Sequence, residues 1–222
     1  MDRRLFLGVT TLGFGFALAS PGWTDPPAAA TAGPLATAEA GDMTLGSPQA
    51  PVTVIEYASA SCPHCAKFNN EVFPAFKAKY IDTGRVFYVF REFLTQPVEL
   101  AAAAFMLARC APKDRYFNVV DGMFRAQADI YASNELKSHL LKVGAANGLD
   151  EKAVTACEAD THRIDALNAR VQRYMARDGI NSTPTFLING AKLQGEQTLA
   201  QIDTAIAAAE AKLPRRRGRR RG

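Results

Sequence analysis

Apolar residues recur with two different periods along the chain, and their order predicts strands that alternate with helices. Residues 51–60 (PVTVIEYASA) form a short run rich in β-branched side chains, which is typical of a buried strand. A helix is predicted from the Ser61–Cys62 turn to about residue 81, with a kink at Pro74. Residues 84–93 (GRVFYVFREF) predict a second strand, which completes a β-α-β unit. The apolar face of the helix is formed by Phe68, Val72, Phe76 and Tyr80.

Helical spacing then continues from 98 to about 177 and predicts several helices in succession. One of them is expected to begin with Ser133 or Asn134 as its N-cap. Strand signals return at 186–193, where two apolar runs flank Asn189-Gly190; this pair predicts a β-hairpin because both residues tolerate positive φ. A final helix follows. The order β-α-β, helices, β-β-α predicts an α/β domain with an inserted all-helical subdomain.

The first 19 residues predict an export signal. Residues 1–19 (MDRRLFLGVTTLGFGFALA) combine a short basic start, an apolar run and small residues at Ala17–Ala19 for cleavage. The apolar run is too short to span the hydrocarbon layer comfortably, which favours a cleaved signal over a transmembrane anchor. Because Arg3-Arg4-Leu5-Phe6-Leu7 also resembles the twin-arginine signature, general secretion and the twin-arginine route both remain open.

Composition divides the rest of the chain into three parts. Residues 20–42 are rich in Ala, Pro, Gly and Thr and predict a disordered linker, which leaves 43–213 as the folded domain. Residues 214–222 (PRRRGRRRG) predict a disordered Arg-rich tail. The formal charge of +4 becomes −3 without the six arginines of this tail and the charged residues at 2–4. A mildly acidic domain gives no support for nucleic-acid binding, and the tail is either a solvated appendage or a weak contact to an anionic membrane surface.

The four cysteines include one close pair, Cys62 and Cys65, which could form half of a zinc site, a static staple or a redox centre. A zinc site needs a second pair of ligands at similar spacing, but the other Cys and His residues are scattered singly, so we predict no metal site. A redox pair needs its first sulfur at a helix N-terminus, where unpaired N–H groups stabilise a thiolate. Pro63 suits the first helical turn, and His64 can add positive charge or a hydrogen bond beside Cys62.

The motif Cys62-Pro63-His64-Cys65 is joined by a second motif much later in the chain, STPTFLING at 182–190. With the preceding strand, the kinked helix and the helical block, these motifs resemble the DsbA-like thiol:disulfide oxidoreductases of the thioredoxin superfamily. The resemblance covers 43–213 and implies a thioredoxin fold with a helical insertion at about 96–178. It also implies that Cys62 is the exposed nucleophile, that Cys65 is the buried resolving thiol, and that the redox-active disulfide needs no further cofactor.

The same resemblance implies roles for residues outside the close cysteine pair. It implies a cis peptide bond at Thr183-Pro184, which leaves the Thr183 backbone free to pair with an extended substrate segment. Glu56, on the first strand, corresponds to a buried acid whose raised pKa lets it exchange a proton with Cys65. Cys110 and Cys157 correspond to a second, non-catalytic disulfide of some relatives; the alternative is two buried apolar thiols.

Two positions depart from the best-known members of this family. Thr183 stands where the prototype oxidase has Val, and Asn69 stands where it has an acidic residue. Both changes are expected to affect redox tuning and the choice of partner, and to leave the chemistry itself in place.

The function implied by the resemblance is that of a periplasmic thiol:disulfide oxidoreductase. It would oxidise the thiols of reduced or misfolded exported proteins through the Cys62–Cys65 disulfide, by way of a mixed disulfide at Cys62, and a membrane-bound thiol oxidase would reoxidise it. A monomer is expected. Two alternatives remain open: a disulfide isomerase or reductase kept reduced in the same compartment, and a non-catalytic thioredoxin-like binder or metallochaperone.

Overall fold

A five-stranded mixed sheet forms the centre of the computed structural model, which describes residues 37–213. The strand order is β1-β3-β2-β4-β5; β2 and β3 run parallel, and the other neighbours are antiparallel. The parallel pair needs a crossover, and the helical run between its strands supplies one. The expected order of β-α-β, helices and β-β-α is thereby confirmed. The strands are β1 (Met43–Leu45), β2 (Val52–Ala58), β3 (Val86–Glu92), β4 (Thr185–Ile188) and β5 (Ala191–Gln194).

The crossover from β2 to β3 is one helical run whose hydrogen-bond pattern changes along its length. Helix α1 (Pro63–Lys67) passes into a π-helical turn, which leads into α2 (Phe73–Phe76) and then into a second π-helical turn. Pro74 lies in the first turn of α2, where its missing N–H costs least. The interruption that Pro74 predicts therefore takes the form of a π-helical turn immediately before it. The two π-helical turns are Phe68–Val72 and Lys77–Ile81.

Five α-helices and a short 3-10 turn lie between β3 and β4 and form the inserted subdomain. Cys110, at the end of the first of these helices, is joined to Cys157 by a disulfide whose Cα atoms are 6.1 Å apart. This bond ties two helices of the insertion together. The α-helices are α3 (Val98–Cys110), α4 (Tyr116–Ser133), α5 (Leu136–Ala146), α6 (Glu151–Glu158) and α7 (Thr161–Asp178), and the 3-10 turn is Lys113–Arg115.

The predicted N-cap of α5 is wrong. Ser133 is the last residue of α4, and Asn134 ends that helix in the left-handed conformation with φ 59°. The residue that precedes α5 is Glu135, which makes no side-chain capping bond. Asn is favoured both at N-caps and at left-handed helix ends, so its type alone does not distinguish the two positions.

The hairpin predicted at Asn189-Gly190 is confirmed. Both residues have positive φ, 44° and 88°, and they connect β4 directly to β5. The chain then enters α8 (Leu199–Ala211), where Thr198 and Gln201 form a reciprocal capping box. The start of β4 pairs with the end of β2 that leads to Cys62, with Thr185 opposite Tyr57, whereas the hairpin turn follows Ile188, which pairs with Val54 towards the other end of β2.

The prediction of a disordered linker over 20–42 is wrong for residues 37–42, and β1 was not predicted. Arg91, a fully buried arginine on β3, binds residues 37–42. Its guanidinium donates to the Thr37 carbonyl at 3.1 Å, to Glu39 at 2.9 Å and to Asp42 at 2.9 Å. A buried cation requires partners of opposite charge, and this segment provides them. The predicted signal at 1–19, the remainder of the linker and the tail at 214–222 lie outside the described residues.

The insertion and β2 provide further partners for the same arginine. Arg91 donates to the Tyr57 hydroxyl at 2.6 Å and to Asp178 at 3.2 Å, and Tyr57 in turn donates to Asp178 at 2.6 Å. This buried network joins β2, β3, the end of α7 and the chain before β1. Within residues 37–213, no helix is both long enough and apolar enough to cross a bilayer.

Replacing Asp42 by alanine should destabilise the fold by about 2 to 4 kcal/mol, because it leaves buried Arg91 without its bidentate partner. Urea unfolding measures the change in the free energy of unfolding. Asp82→Ala is the matched control, since Asp82 forms an exposed pair with Lys77 and should change stability by less than about 0.5 kcal/mol. Equal effects of the two substitutions would contradict a stabilising role for the buried network.

Candidate active site

Cys62 is the N-cap of α1, and Pro63 occupies the first helical turn. The chain leaves β2 and turns directly into this helix, so the sulfur lies where backbone N–H groups are unpaired. Both Cys62 and Cys65 are free thiols in this structure. Cys65 is fully buried and Cys62 is 7% exposed, so Cys62 is more enclosed than the exposed nucleophile that the sequence predicts.

Hydrogen-bond donors around Cys62 lower its pKa to about 5. The largest contribution is the Cys65 S–H, which donates to the Cys62 sulfur; burial opposes it, and Thr183 and the backbone N–H groups of Cys65 and His64 add to it. A thiolate at Cys62 is therefore the stable form at neutral pH. The pKa of Cys65 is instead raised well above its usual value, by burial first, with Cys62 and the charge of Glu56 contributing.

The loop before β4 brings a second segment to the Cys62 sulfur. The Thr183-Pro184 peptide bond is cis, and so is Gln96-Pro97, which the sequence does not predict. As a thiol, Cys62 donates to the Thr183 carbonyl oxygen at 3.3 Å. As a thiolate, Cys62 can instead accept from the Thr183 hydroxyl, whose buried oxygen has no other partner in the described part of the chain.

Glu56 lies beneath the cysteine pair on β2, the strand between β3 and β4, and is 3% exposed. Burial raises its pKa to about 8; the Tyr88 hydroxyl, which donates to Oε2 at 2.5 Å, lowers it, and the charge on Cys62 raises it. The carboxyl is thus protonated at neutral pH. Glu56 and Tyr88 also line a cavity of about 330 Å³ together with Asn69 and Asp121.

The imidazole of His64 pairs with Glu196 and not with the Cys62 sulfur, beside which the sequence predicts a positive charge or a hydrogen bond from His64. Its Nδ1 lies 3.1 Å from Glu196 Oε2, and the ring is 65% exposed. Lys67, one turn along the helix, pairs with the same carboxylate. His64 therefore acts on Cys62 through its backbone N–H, while Glu196 holds its side chain.

Two residues of α4 that were not predicted as site residues hold the turn before α1. Gln127 Nε2 donates to the Ala60 carbonyl at 2.6 Å and to the Cys62 carbonyl at 3.2 Å. The Tyr131 hydroxyl donates to the Ser61 carbonyl at 2.5 Å. No local pattern marks these residues, because they lie about 70 positions from the backbone groups that they bind.

The described residues 37–213 contain no group of three or more His, Cys, Asp or Glu side chains arranged to hold a metal ion. Around Cys62 and Cys65 the available groups are a carbonyl, a hydroxyl, backbone N–H groups and a protonated carboxyl. These groups move protons and stabilise one thiolate, and that combination suits thiol–disulfide exchange.

Comparison with known proteins places this geometry in a family. Residues 38–208 match the family model described as Thioredoxin. The crystal structure of Wolbachia pipientis alpha-DsbA1 is 31% identical, with a TM-score of 0.70 over 80% of this chain and 97% of that one. This chain is a DsbA-like member of the thioredoxin family. The expected thioredoxin fold with a helical insertion is thus confirmed.

Two further proteins are similar to this chain, one in structure and one in sequence. Oxidised BdbD from Bacillus subtilis has a TM-score of 0.66 at 22% identity, over 76% of this chain and 92% of that one. A Rickettsia conorii protein that carries the name of a candidate protein-disulfide oxidoreductase is 34% identical over 167 residues. That match covers 74% of this chain and 59% of the relative, so the chain spans about three fifths of the length of this curated relative.

Replacing Glu196 by glutamine should lower the pKa of Cys62 further, by about 0.2 to 0.7. The change removes a nearby negative charge and frees His64 and Lys67 to turn towards the thiolate; both effects favour ionisation. The pH dependence of Cys62 alkylation by iodoacetamide measures the pKa. Asp203→Asn, which removes a carboxylate paired with Lys79, is the matched control and should leave it unchanged. A higher Cys62 pKa in the Glu196 variant would show that the carboxylate does not restrain these side chains.

Proposed function

We propose that this protein is an exported thiol:disulfide oxidoreductase that oxidises pairs of thiols in substrate proteins. The observation that carries the proposal is the asymmetry of the cysteine pair: the pKa of Cys62 is lowered to about 5, while that of Cys65, next to it in the core, is raised. A stable thiolate stabilises the reduced form of the cysteine pair. The disulfide form is therefore readily reduced and acts as an oxidant. The family membership and the names of the relatives support the same reaction class.

The exchange proceeds in two displacements. A substrate thiolate attacks Cys62 Sγ of the Cys62–Cys65 disulfide, forms a mixed disulfide with Cys62, and releases Cys65 as the leaving thiolate. A second substrate thiolate then attacks the substrate sulfur of the mixed disulfide and releases Cys62 as a thiolate. The substrate loses two electrons to the cysteine pair and gains a disulfide.

Glu56 provides the proton that this scheme needs in the core. Cys65 leaves as a thiolate in a buried site, where its charge is costly, and a protonated Glu56 is available at neutral pH to give it a proton. The cavity beside Glu56 and Tyr88 offers water a route to return that proton. The proposed roles are nucleophile for Cys62, resolving thiol for Cys65 and proton donor for Glu56, while Thr183 pairs with the substrate backbone.

The proposed setting is the periplasm, with reduced or misfolded exported proteins as substrates and a membrane-bound thiol oxidase as reoxidant. The basis is the predicted signal at 1–19 and the second disulfide, Cys110–Cys157, which is typical of oxidising compartments. We propose that the protein is a monomer.

Equilibration of the purified protein with glutathione buffers tests the direction of electron flow. We expect a reduction potential for the Cys62–Cys65 pair that is less negative than about −200 mV, as an oxidant of substrate thiols requires. A potential near the value of about −270 mV that is typical of thioredoxin would assign the protein to the reductases instead. Absence of exchange with glutathione at any ratio would favour a non-catalytic binder. Cys62→Ser is the control, because it leaves no redox pair.

Replacing Glu56 by glutamine should alter the pH dependence of stability in the reduced protein. In the wild type the Glu56 pKa is about 8 when folded and about 4.5 when unfolded, so its contribution is fully present below pH 4.5 and is lost as the pH rises through 8. Glutamine keeps the Tyr88 bond but has no such dependence. The free energy of unfolding of the variant should therefore rise relative to that of the wild type between these pH values.

Urea unfolding at several pH values, with reductant present, measures this difference. Glu151→Gln is the control, since Glu151 is an exposed carboxyl in the first turn of α6 and should give a difference that does not grow with pH. A constant difference for the Glu56 variant would show that this carboxyl ionises normally and would remove the proposed proton donor.

A further inference from the structure

The C-terminal half of α4 presents two side chains to the reactive turn. Gln127 and Tyr131 are four residues apart and therefore lie on one face of the helix. Gln127 is 4% exposed, and its amide binds the carbonyl groups of Ala60 and Cys62. It already holds the turn from within the core.

Tyr131 differs from Gln127 in its exposure. Its hydroxyl is bound to the Ser61 carbonyl, but the residue remains 45% exposed. Within residues 37–213, only Met175 is a comparably exposed large hydrophobic residue. Partial burial and the charge of Cys62 raise the pKa of Tyr131, which agrees with a hydroxyl close to the reactive sulfur. An aromatic ring is thus held in one orientation, open to solvent, beside Cys62.

An exposed ring whose orientation is already fixed can bind another side chain at low entropic cost. A tyrosine has few rotatable bonds, and the hydroxyl contact with Ser61 already restricts them, so little conformational entropy is lost when a ligand packs against it. The apolar ring surface left in water gains most from contact with an apolar or aromatic side chain. Thr183 offers backbone groups at the same sulfur, which suits an extended segment of a substrate protein.

We propose that Tyr131 is a specificity-determining residue: its ring contacts the side chain that adjoins the reacting cysteine of a substrate and favours apolar or aromatic residues there. This inference rests on the proposed disulfide exchange at Cys62. The insertion then has a direct part in substrate choice, because α4 supplies the contact surface while the sheet and α1 supply the chemistry.

The competing explanation is that Tyr131 only supports the turn through Ser61. Two substitutions separate these roles. Tyr131→Phe keeps the ring and removes the hydrogen bond, whereas Tyr131→Ala removes both; Tyr131→Gln keeps a donor without a ring and replaces the alanine variant if that one does not fold. Met175→Ala is the matched control, because Met175 is as exposed as Tyr131 but lies on α7.

The test measures how fast the oxidised protein oxidises three dithiols: a synthetic dithiol peptide with phenylalanine beside its cysteine, the same peptide with serine there, and dithiothreitol. Removal of the ring should lower the second-order rate constant for the phenylalanine peptide by about threefold to tenfold. The rates with the serine peptide and dithiothreitol should change by less than about twofold, as should the equilibrium constant with glutathione. Tyr131→Phe and Met175→Ala should retain the preference for phenylalanine.

Other outcomes overturn the proposal. Equal losses with all three dithiols, or a loss in Tyr131→Phe as large as that in the ring-removing variant, would assign Tyr131 to support of the turn. No loss with the phenylalanine peptide would show that the ring does not contact the substrate. Failure of the proposed function is distinguishable, since the wild-type protein would then oxidise none of the dithiols.

Discussion

One negative charge organises the site, and it resides on Cys62. Glu56 and Cys65 lie in the core, where burial makes a charge costly, and the pKa of each is raised. Cys62 lies at the helix start with S–H and N–H donors around its sulfur, and its pKa is lowered to about 5. The two cysteines of one motif therefore prefer opposite protonation states. This difference makes the dithiol stable and its disulfide reactive.

Elements far apart in the chain must meet to maintain this charge distribution. The central strand β2 carries Glu56, the loop before β4 brings Thr183, and α4 of the insertion brings Gln127 to the carbonyl groups of Ala60 and Cys62. Without Gln127, the Ala60 carbonyl would lose the donor at 2.6 Å, whereas the Cys62 carbonyl would keep the Ala66 N–H at 3.1 Å. The insertion therefore supports the reactive turn as well as covering it. Arg91 on β3 also binds Asp178 at the end of α7 and Asp42 in the chain before β1, so these elements are joined to the same sheet.

The fold could be predicted from sequence wherever the signal is local. The short β-branched run of β2 and the pair Asn189-Gly190 each act within a few residues, and both predictions agree with the structure. The partners of Arg91 could not be predicted, because a charged residue in a strand pattern gives no indication of which distant carboxylates it meets. The same limit applies to Tyr131 and Glu196, which reach the site from other elements.

The departure at Asn69 changes the surroundings of the buried acid. Asn69 is neutral, and its amide donates to Asp121 at 2.9 Å, so a carboxylate reaches this end of the cavity from α4. That carboxylate is 41% exposed and pairs with Arg125 at 2.8 Å, so solvent and the arginine screen its charge. Burial, Cys62 and Glu56 are what raise the pKa of Cys65. With a neutral residue at 69, no carboxylate at that position competes with Glu56 for the proton, and the groups that act on the ionisation of Cys65 are Cys62 first and Glu56 after it.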